Sequence, residues 1–327
     1  MKVLLTGSSG FVGSHILDSL RERGLAVRVL LRKSSSRRFI RSHVSQIELF
    51  EGSIGEPAGL VKAMEGVTHV IHCAGATRVR RNAEFREINE LGTRNVIEAV
   101  NSQYGNISRV IHISSLAAAH SATASVPARE DDGPMPVSEY GLSKLFAETE
   151  VRNHCKVPFT ILRPSAVYGP RDEGFLSMFQ TVRRHLVPHF TGGVEAFSMI
   201  YVKDLAEATA TCLAHPAVVG KTYFVASPEW VTTRGFCEEI ARQMKVWTLP
   251  LRLPVQALWP VCVISEWVCR LMNKSTLLNR QKYNELREAG WVCDPTRLRD
   301  EVGFVASTSL TDGIRQTILW YRENGWL

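Results

Sequence analysis

Along residues 1–165 two kinds of apolar run alternate. Short continuous runs occupy 3–5, 27–31, 47–50, 67–72, 109–113 and 159–162, and each reads as a strand covered on both faces. Between them, 11–23, 57–65, 83–100 and 138–154 place apolar residues at helical spacing, as in Val12, Ile16, Leu17 and Leu20 of the first, which stops at Gly24. Strands alternating with helices of this length predict an α/β fold, a doubly wound parallel sheet with helices on both faces. After Pro164 the rhythm breaks. A helix at 202–213 and a strand at 221–225 are set among long irregular stretches. The pattern predicts a first domain over 1–165 and a smaller lobe over 166–327, with the later helix and strand free to return to the first sheet.

Composition changes this picture little. A length of 327 residues suits one large domain with an appended lobe, and 45% hydrophobic with 22% charged residues is ordinary for a globular chain that folds unaided. The net charge of +7 gathers at Arg37, Arg38 and Arg41, at Arg78, Arg80 and Arg81, and at Arg183 and Arg184. These clusters carry no interleaved aromatics and match no nucleic-acid module, so solvated basic faces and a site for an anionic ligand are expected instead. The seven cysteines form no C-x-x-C pair, which argues against a disulfide framework and a zinc site; the scattered histidines add no metal spacing. With only Val3, Leu4 and Leu5 before Thr6, the start of the chain lacks a signal-peptide core, and a cytoplasmic location is expected.

Candidate chemistry begins at the first strand's end. Gly7, Gly10 and Gly13 recur at three-residue spacing between a strand and a helix. That spacing serves a tight turn, the close approach of a pyrophosphate and tight helix-on-strand packing, with the helix N-terminus aimed at the anion. At the end of the second strand, where a carboxylate would bond a ribose 2′-hydroxyl, the chain has Arg32 and Lys33. Arginine pairs with phosphate, so the expected cofactor is NADP(H), with NAD as the alternative should Arg32 be only a surface charge. Tyr140 and Lys144 stand four residues apart on one helix face, where a nearby cation would favour the phenolate and let it exchange a proton with a substrate oxygen. Ser115, ending the fifth strand, is placed to hold that oxygen by a hydrogen bond.

In this order, with His72-Cys73-Ala74-Gly75 after the fourth strand and Asn89 in the next helix, the motifs resemble the extended short-chain dehydrogenase/reductase superfamily, the group of the NAD-dependent epimerases and dehydratases. The resemblance runs from Met1 to about Leu213 and more weakly beyond. It implies a Rossmann-type first domain, a C-terminal substrate lobe and a homodimer. It further implies that Tyr140 is the general acid/base, that Lys144 lowers its pKa and bonds the nicotinamide ribose, and that Ser115 positions the reacting oxygen. Gly7, Gly10, Phe11 and Val12 would meet the pyrophosphate, Ala74 and Gly75 the ribose region, and Asn89 would support the cofactor. Ser53, before Ile54, departs from the aspartate usual beside the adenine, though its hydroxyl can still bond the amino group.

Ala166 stands where nucleotide-sugar enzymes of the resembling group commonly carry an asparagine, leaving Arg171, Arg183 or Arg184 to hold a phosphate. The segments 136–140 and 197–204 are closer in wording to the 3β-hydroxysteroid dehydrogenase and dihydroflavonol reductase branch. The leading expectation is therefore an alcohol/ketone oxidoreductase for a hydrophobic substrate, steroid-, isoprenoid- or polyphenol-like. A nucleotide-sugar epimerase or dehydratase with tightly held NAD is the first alternative, and a non-enzymatic cofactor-binding protein the second. Residues 247–272 are strongly apolar but interrupted by Pro260, Glu266 and Arg270, short of the about 18 uninterrupted apolar residues of a membrane span. Ordinary core, a lid over a greasy substrate and a helix lying on a membrane remain open for this stretch.

Overall fold

Val3 and Leu5 face one side of the first strand and Leu4 the other, and all three are fully buried, so the strand is sandwiched as its continuous apolar run requires. The computed structural model describes residues 1–272, 276 and 279–327. The first half builds β1 (Lys2–Thr6), α1 (Phe11–Glu22), β2 (Ala26–Leu31), β3 (Glu48–Glu51), α2 (Pro57–Ala63) and β4 (His69–His72). Then come α3 (Ala83–Phe85), a π-turn (Arg86–Leu91) and α4 (Gly92–Ser102) as one helical stretch, followed by β5 (Arg109–Ile113), α5 (Glu139–His154) and β6 (Phe159–Pro164). The chain crosses to the smaller lobe through β7 (Ala166–Tyr168), α6 (Leu176–Arg183), β8 (Leu186–Thr191) and β9 (Ala196–Tyr201). It then returns with α7 (Val202–Ala214) and β10 (Lys221–Val225) before going back through β11 (Trp230–Thr232), α8 (Thr233–Met244), β12 (Leu249–Pro254), α9 (Leu258–Leu271), α10 (Arg280–Leu286), β13 (Gly290–Trp291), α11 (Thr296–Val302) and α12 (Leu310–Glu323).

The main sheet has seven parallel strands in the order β10-β6-β5-β4-β1-β2-β3. Strand order reverses between β1 and β4, and in open sheets of this kind ligands bind outside the carboxyl ends of the strands at that reversal. One apolar layer packs α1 and α7 against the sheet, through Ile16, Leu20, Leu205 and Cys212; the opposite layer packs α2, α4 and α5, through Leu60, Val96 and Val151. Because β10 pairs with β6 and α7 lies beside α1, residues 202–225 belong to the first sheet although they follow 166. The smaller lobe gathers α6, α8 and α12 around Phe179, Phe236, Ile314 and Tyr321, beside a sheet in which β9 pairs with β7, β11 and β13.

Two departures from the periodicity matter for function. The helix expected over 83–100 carries the π-turn, one residue out of α-register, which is a frequent mark of a functional site. The stretch 247–272 is not core. Its strand β12 pairs with β8 at the surface, and Val255 and Cys262 are its only fully buried described side chains.

Beneath the sheet's carboxyl end, Glu148 of α5 is fully buried and accepts two hydrogen bonds from Arg163 of β6, at 2.9 and 2.8 Å, with a third from Ser114 at 2.5 Å and an ion pair to Arg152 at 2.9 Å. These partners hold its carboxyl below the usual range although burial pushes the other way. Breaking such a pair leaves a buried guanidinium uncompensated. Glu148→Gln should therefore cost about 3–5 kcal/mol, read as a lower urea midpoint at unchanged m-value.

Candidate active site

The crevice at the strand reversal is shaped by glycine. Gly7 has φ of +78°, and a Cβ there would stand 2.7 Å from the backbone N of Ala74 in the loop after β4. A Cβ on Gly13 would lie 2.2 Å from the Gly7 carbonyl oxygen, so the first turn of α1 sits on the loop at a distance open only to glycine. Gly10 caps α1 without a side-chain bond, leaving the first-turn N–H groups of Phe11, Val12 and Gly13 available to an anion. Ser8 Oγ in the same loop is buried with no hydrogen-bond partner among the described residues. A cradle that side chains would fill, a free helix N-terminus and an orphaned hydroxyl fit the pyrophosphate of a dinucleotide.

A hydrogen-bond chain fixes this cradle to the sheet. Ala74 N–H donates to Thr6 Oγ1 at 3.1 Å, Thr6 Oγ1 meets His72 Nδ1 at 2.8 Å, His72 Nε2 meets Thr93 Oγ1 at 2.9 Å, and Thr93 donates to the Asn89 carbonyl at 2.6 Å. With the Thr93 hydroxyl proton committed to Asn89, His72 donates from Nε2, and as a neutral ring it accepts the Thr6 hydroxyl proton on Nδ1. Burial, with the nearby Lys144 charge, brings its pKa down to about 3. His112 lies with its ring 5.3 Å away, buried and with neither nitrogen bonded among the described residues, so it too is held neutral.

The π-turn turns Asn89 inward. Its side chain accepts from Ala76 N–H at 2.7 Å and donates to Ala76 O at 3.0 Å and Ser143 Oγ at 2.9 Å, pinning the loop after β4 to the catalytic helix α5. Asn89 thus faces the loop after β4 and fixes its position. Ser138 caps α5 by accepting from Gly141 N–H at 3.1 Å, and a Cβ on Gly141 would stand 2.2 Å from the Ala117 carbonyl, so the helix starts hard against the turn after β5. That contact brings Tyr140 to Ser115, whose Oγ accepts from Ala117 N–H at 3.2 Å and whose nearness to the phenol favours the ionised form. Lys144, buried, donates from Nζ to the Ile113 carbonyl at 2.7 Å, at the carboxyl end of β5 and close to Gly75.

Ser115, Tyr140, Lys144, Ala74, Gly75 and Asn89 therefore share the carboxyl end of β4 and β5. In this arrangement loss of water outweighs any lowering of the phenol pKa by Lys144. Burial lifts Tyr140 to about 12 against the pull of Ser115, and burial brings Lys144 down to about 8, its ammonium turned to a carbonyl. Farther along the crevice Ile54 packs on Gly92, Ser53 Oγ accepts from Gly55 N–H at 3.2 Å, and Arg32 stands exposed after β2 with no ion pair among the described residues. Three contacts went unanticipated. Glu285 of α10 accepts from Ser138 Oγ at 2.8 Å and its charge further raises Tyr140; Gln281 accepts from Glu139 N–H at 3.0 Å; and the Phe85 ring packs 5.8 Å from the Tyr140 ring. Phe85 at helical spacing before Asn89 was a readable signal, whereas nothing local ties 281 and 285 to 138–140. A cavity of about 370 Å³ lined by Ser198, Trp230, Cys293 and Phe304 contains none of the catalytic three.

The model of the NAD-dependent epimerase/dehydratase family matches residues 3–226, which spans this entire crevice. The chain belongs to that family. It is an NAD(P)-dependent enzyme of the extended short-chain dehydrogenase/reductase type, and the parallel sheet is that fold. Among similar proteins are the ceramide reductase of Caulobacter vibrioides, 28% identical over 99% of this chain and 96% of that one, and the UDP-glucose 4-epimerase of Vibrio cholerae, 26% identical over 96% and 94%. The UDP-glucose 4-epimerase of Thermus thermophilus, solved in complex with NAD, superposes with a TM-score of 0.77 at 25% identity over 98% and 99% of the two chains.

The buried neutral histidines set an acid limit on the fold. His15, which contacts the Pro170 carbonyl at 2.9 Å, is brought down to about 4 chiefly by burial, His72 to about 3, and His112 well below its ordinary value. Unfolding restores a pKa near 6.5, so the unfolded chain binds more protons and stability falls as pH drops below that value. From pH 7.5 to 5.5 each histidine costs about 1.4 kcal/mol, roughly 4 for the three. Asp172, raised to about 6 by burial, takes up its proton in the folded state and offsets about 0.8 kcal/mol. Urea unfolding at the two pH values should show a net loss of about 3 kcal/mol.

Proposed function

We propose that the protein is an NADP(H)-dependent oxidoreductase that interconverts an alcohol and a ketone on a hydrophobic substrate. The observation that carries this is Ser115 set against the half-buried phenol of Tyr140, with the Lys144 ammonium beside them at the strand reversal. When bound, the nicotinamide supplies or accepts the hydride. In reduction, Ser115 and Tyr140 present hydroxyl protons to the substrate carbonyl oxygen and polarise it. Tyr140 then gives its proton to the developing alkoxide, a stronger base than the phenolate left behind. Lys144, at about 8, is still a cation at pH 7 and favours that phenolate in a site where burial alone would oppose it. Asn89 and Gly141 do no chemistry; they hold the loop after β4 and the phenol where these steps require them.

Several features support a free ketone or alcohol over a nucleotide sugar. Alanine at 166 cannot bond a diphosphate, and Arg171, a candidate to replace that contact, is engaged by Asp18 at 2.8 Å. The ceramide reductase relative carries net reduction in its name. A second reading, an epimerase or dehydratase with tightly held NAD, is favoured by the equally extensive likeness to the Vibrio cholerae epimerase. For the cofactor, exposed Arg32 and Lys33 follow β2 where a 2′-phosphate would lie. All seven cysteines are free thiols, which suits the reducing cytoplasm in which we place the reaction.

Cofactor titration of the purified protein should give tighter binding of NADPH than of NADH, and Arg32→Ala should reduce that margin by about tenfold or more, the loss of one charge-assisted phosphate contact. Equal binding of the two would make Arg32 a bystander. With an aliphatic or ring ketone, Tyr140→Phe should bind NADPH as the parent does and lower kcat by at least about a hundredfold. Unchanged turnover would remove Tyr140 from its role, and a hydride that never leaves the bound cofactor would point to the epimerase reading.

A further inference from the structure

Helix α9 is inside out. Every described exposed residue on it is apolar, including Trp259, Ile264, Trp267 and Leu271, whereas the side turned to the protein carries Cys262, Ser265, Glu266 and Cys269. At about 100° per residue the exposed apolar positions sweep about 200° of the helix surface, the arc a helix in water would give to polar groups. Of the 22 large hydrophobic residues exposed in the described chain, 11 fall within 247–272, so the patch is a concentration and not scatter. Trp247, Leu271 and Trp267 are the extremes, at 70%, 68% and 63% exposure. Among the described residues no helix is long and apolar enough to cross a membrane, and α9 has 14 residues.

The surroundings of the patch are cationic. Strands β8 and β12 pair from Leu186–Leu249 to Thr191–Pro254, and exposed Arg183, Arg184, Lys245 and Arg252 border or lie on this strip. None of the four makes an ion pair among the described residues. We infer that α9 and the adjoining β12 edge form a docking surface for an anionic phospholipid bilayer, the apolar arc entering the headgroup boundary with its tryptophans there and the four cations meeting lipid phosphates. A second copy of the chain fits less well, since it would set like charges against each other in a protein of net charge +7.

This inference rests on the hydrophobic-substrate reading and extends it to where the substrate is drawn from. The docked face lies one helix from the phenol. Tyr283 of α10 packs 5.1 Å from Trp259, Arg280 holds Glu266 at 2.9 and 3.1 Å, and from the other side of α10 Glu285 and Gln281 reach Ser138 and Glu139 at the start of the catalytic helix. An apolar substrate leaving the bilayer under α9 therefore meets the α10 edge of the crevice without crossing water.

The test is sedimentation of the full chain with vesicles of phosphatidylcholine alone and with added phosphatidylglycerol, at low and high salt, alongside Ile264→Glu/Trp267→Glu and Arg183→Glu/Arg184→Glu. The parent should pellet with the anionic vesicles, high salt and the arginine pair should each weaken partition by about tenfold, and the apolar pair should abolish it. Both variants should keep the parent's melting temperature, and Ile264→Glu/Trp267→Glu its turnover of a water-soluble ketone. A parent that stays in the supernatant with both vesicles overturns the proposal, as does a dimer in solution that Ile264→Glu/Trp267→Glu splits, which would assign the face to a second copy. If vesicle binding holds while Tyr140→Phe leaves turnover intact, the reading of the reaction fails and the docking surface stands.

Discussion

Everything in the crevice follows from how closely two backbones approach where β1 and β4 end. Gly13 lies on the Gly7 carbonyl, and Gly7, in the left-handed region, lies on Ala74, at separations that admit no side chain. This contact sets α1 with its bare N-terminus over the reversal of strand order and seats the loop that carries Ala74 and Gly75. The Thr6–His72–Thr93 hydrogen bonds hold the same contact from below, around a His72 that burial keeps neutral. The geometry that makes an anion site thus also makes the fold sensitive to acid.

A second theme is that burial, more than pairwise charge, governs the reacting groups. Tyr140 is pushed up and Lys144 down by loss of water, so each charged form is disfavoured in isolation. Local contacts then decide how the groups are presented: Ser115 beside the phenol, Ile113 O bonded to the ammonium, Asn89 between loop and helix. Beneath them the Glu148–Arg163 pair supplies a rigid floor joining α5 to β6. The smaller lobe enters this arrangement through α10, whose Glu285 both bonds the cap of α5 and opposes ionisation of Tyr140, so the position of α10 bears on the acidity of the phenol.

Much of this was legible in the chain because its signals are local. Strands of continuous apolar residues, helices with apolar residues at three- and four-residue spacing, the glycine trio and the Tyr140–Lys144 pair each act within one or two turns of backbone, where periodicity and sequence separation translate directly into geometry. The family match over 3–226 agrees with the architecture and enzyme class those signals indicate. The same local logic failed at 83–102, where a π-turn shifts the register by one residue to bring Asn89 inward.

Only the tertiary structure decided the rest. That residues 202–225 rejoin the first sheet depends on pairing between β10 and β6, some 60 positions apart. That Glu285 faces Tyr140 depends on where a helix 145 positions later comes to rest against Ser138. The apolar stretch 247–272 is the clearest case: its composition is the same whether it is core, lid or outer face, because hydrophobicity states that a surface avoids water and not which surface replaces it. The sequence by itself determined the sheet, the cradle and the reacting pair, since these are written in short-range pattern. Packing alone set the charge facing the phenol and turned α9 outward, since both arise from contacts between segments that no local period connects.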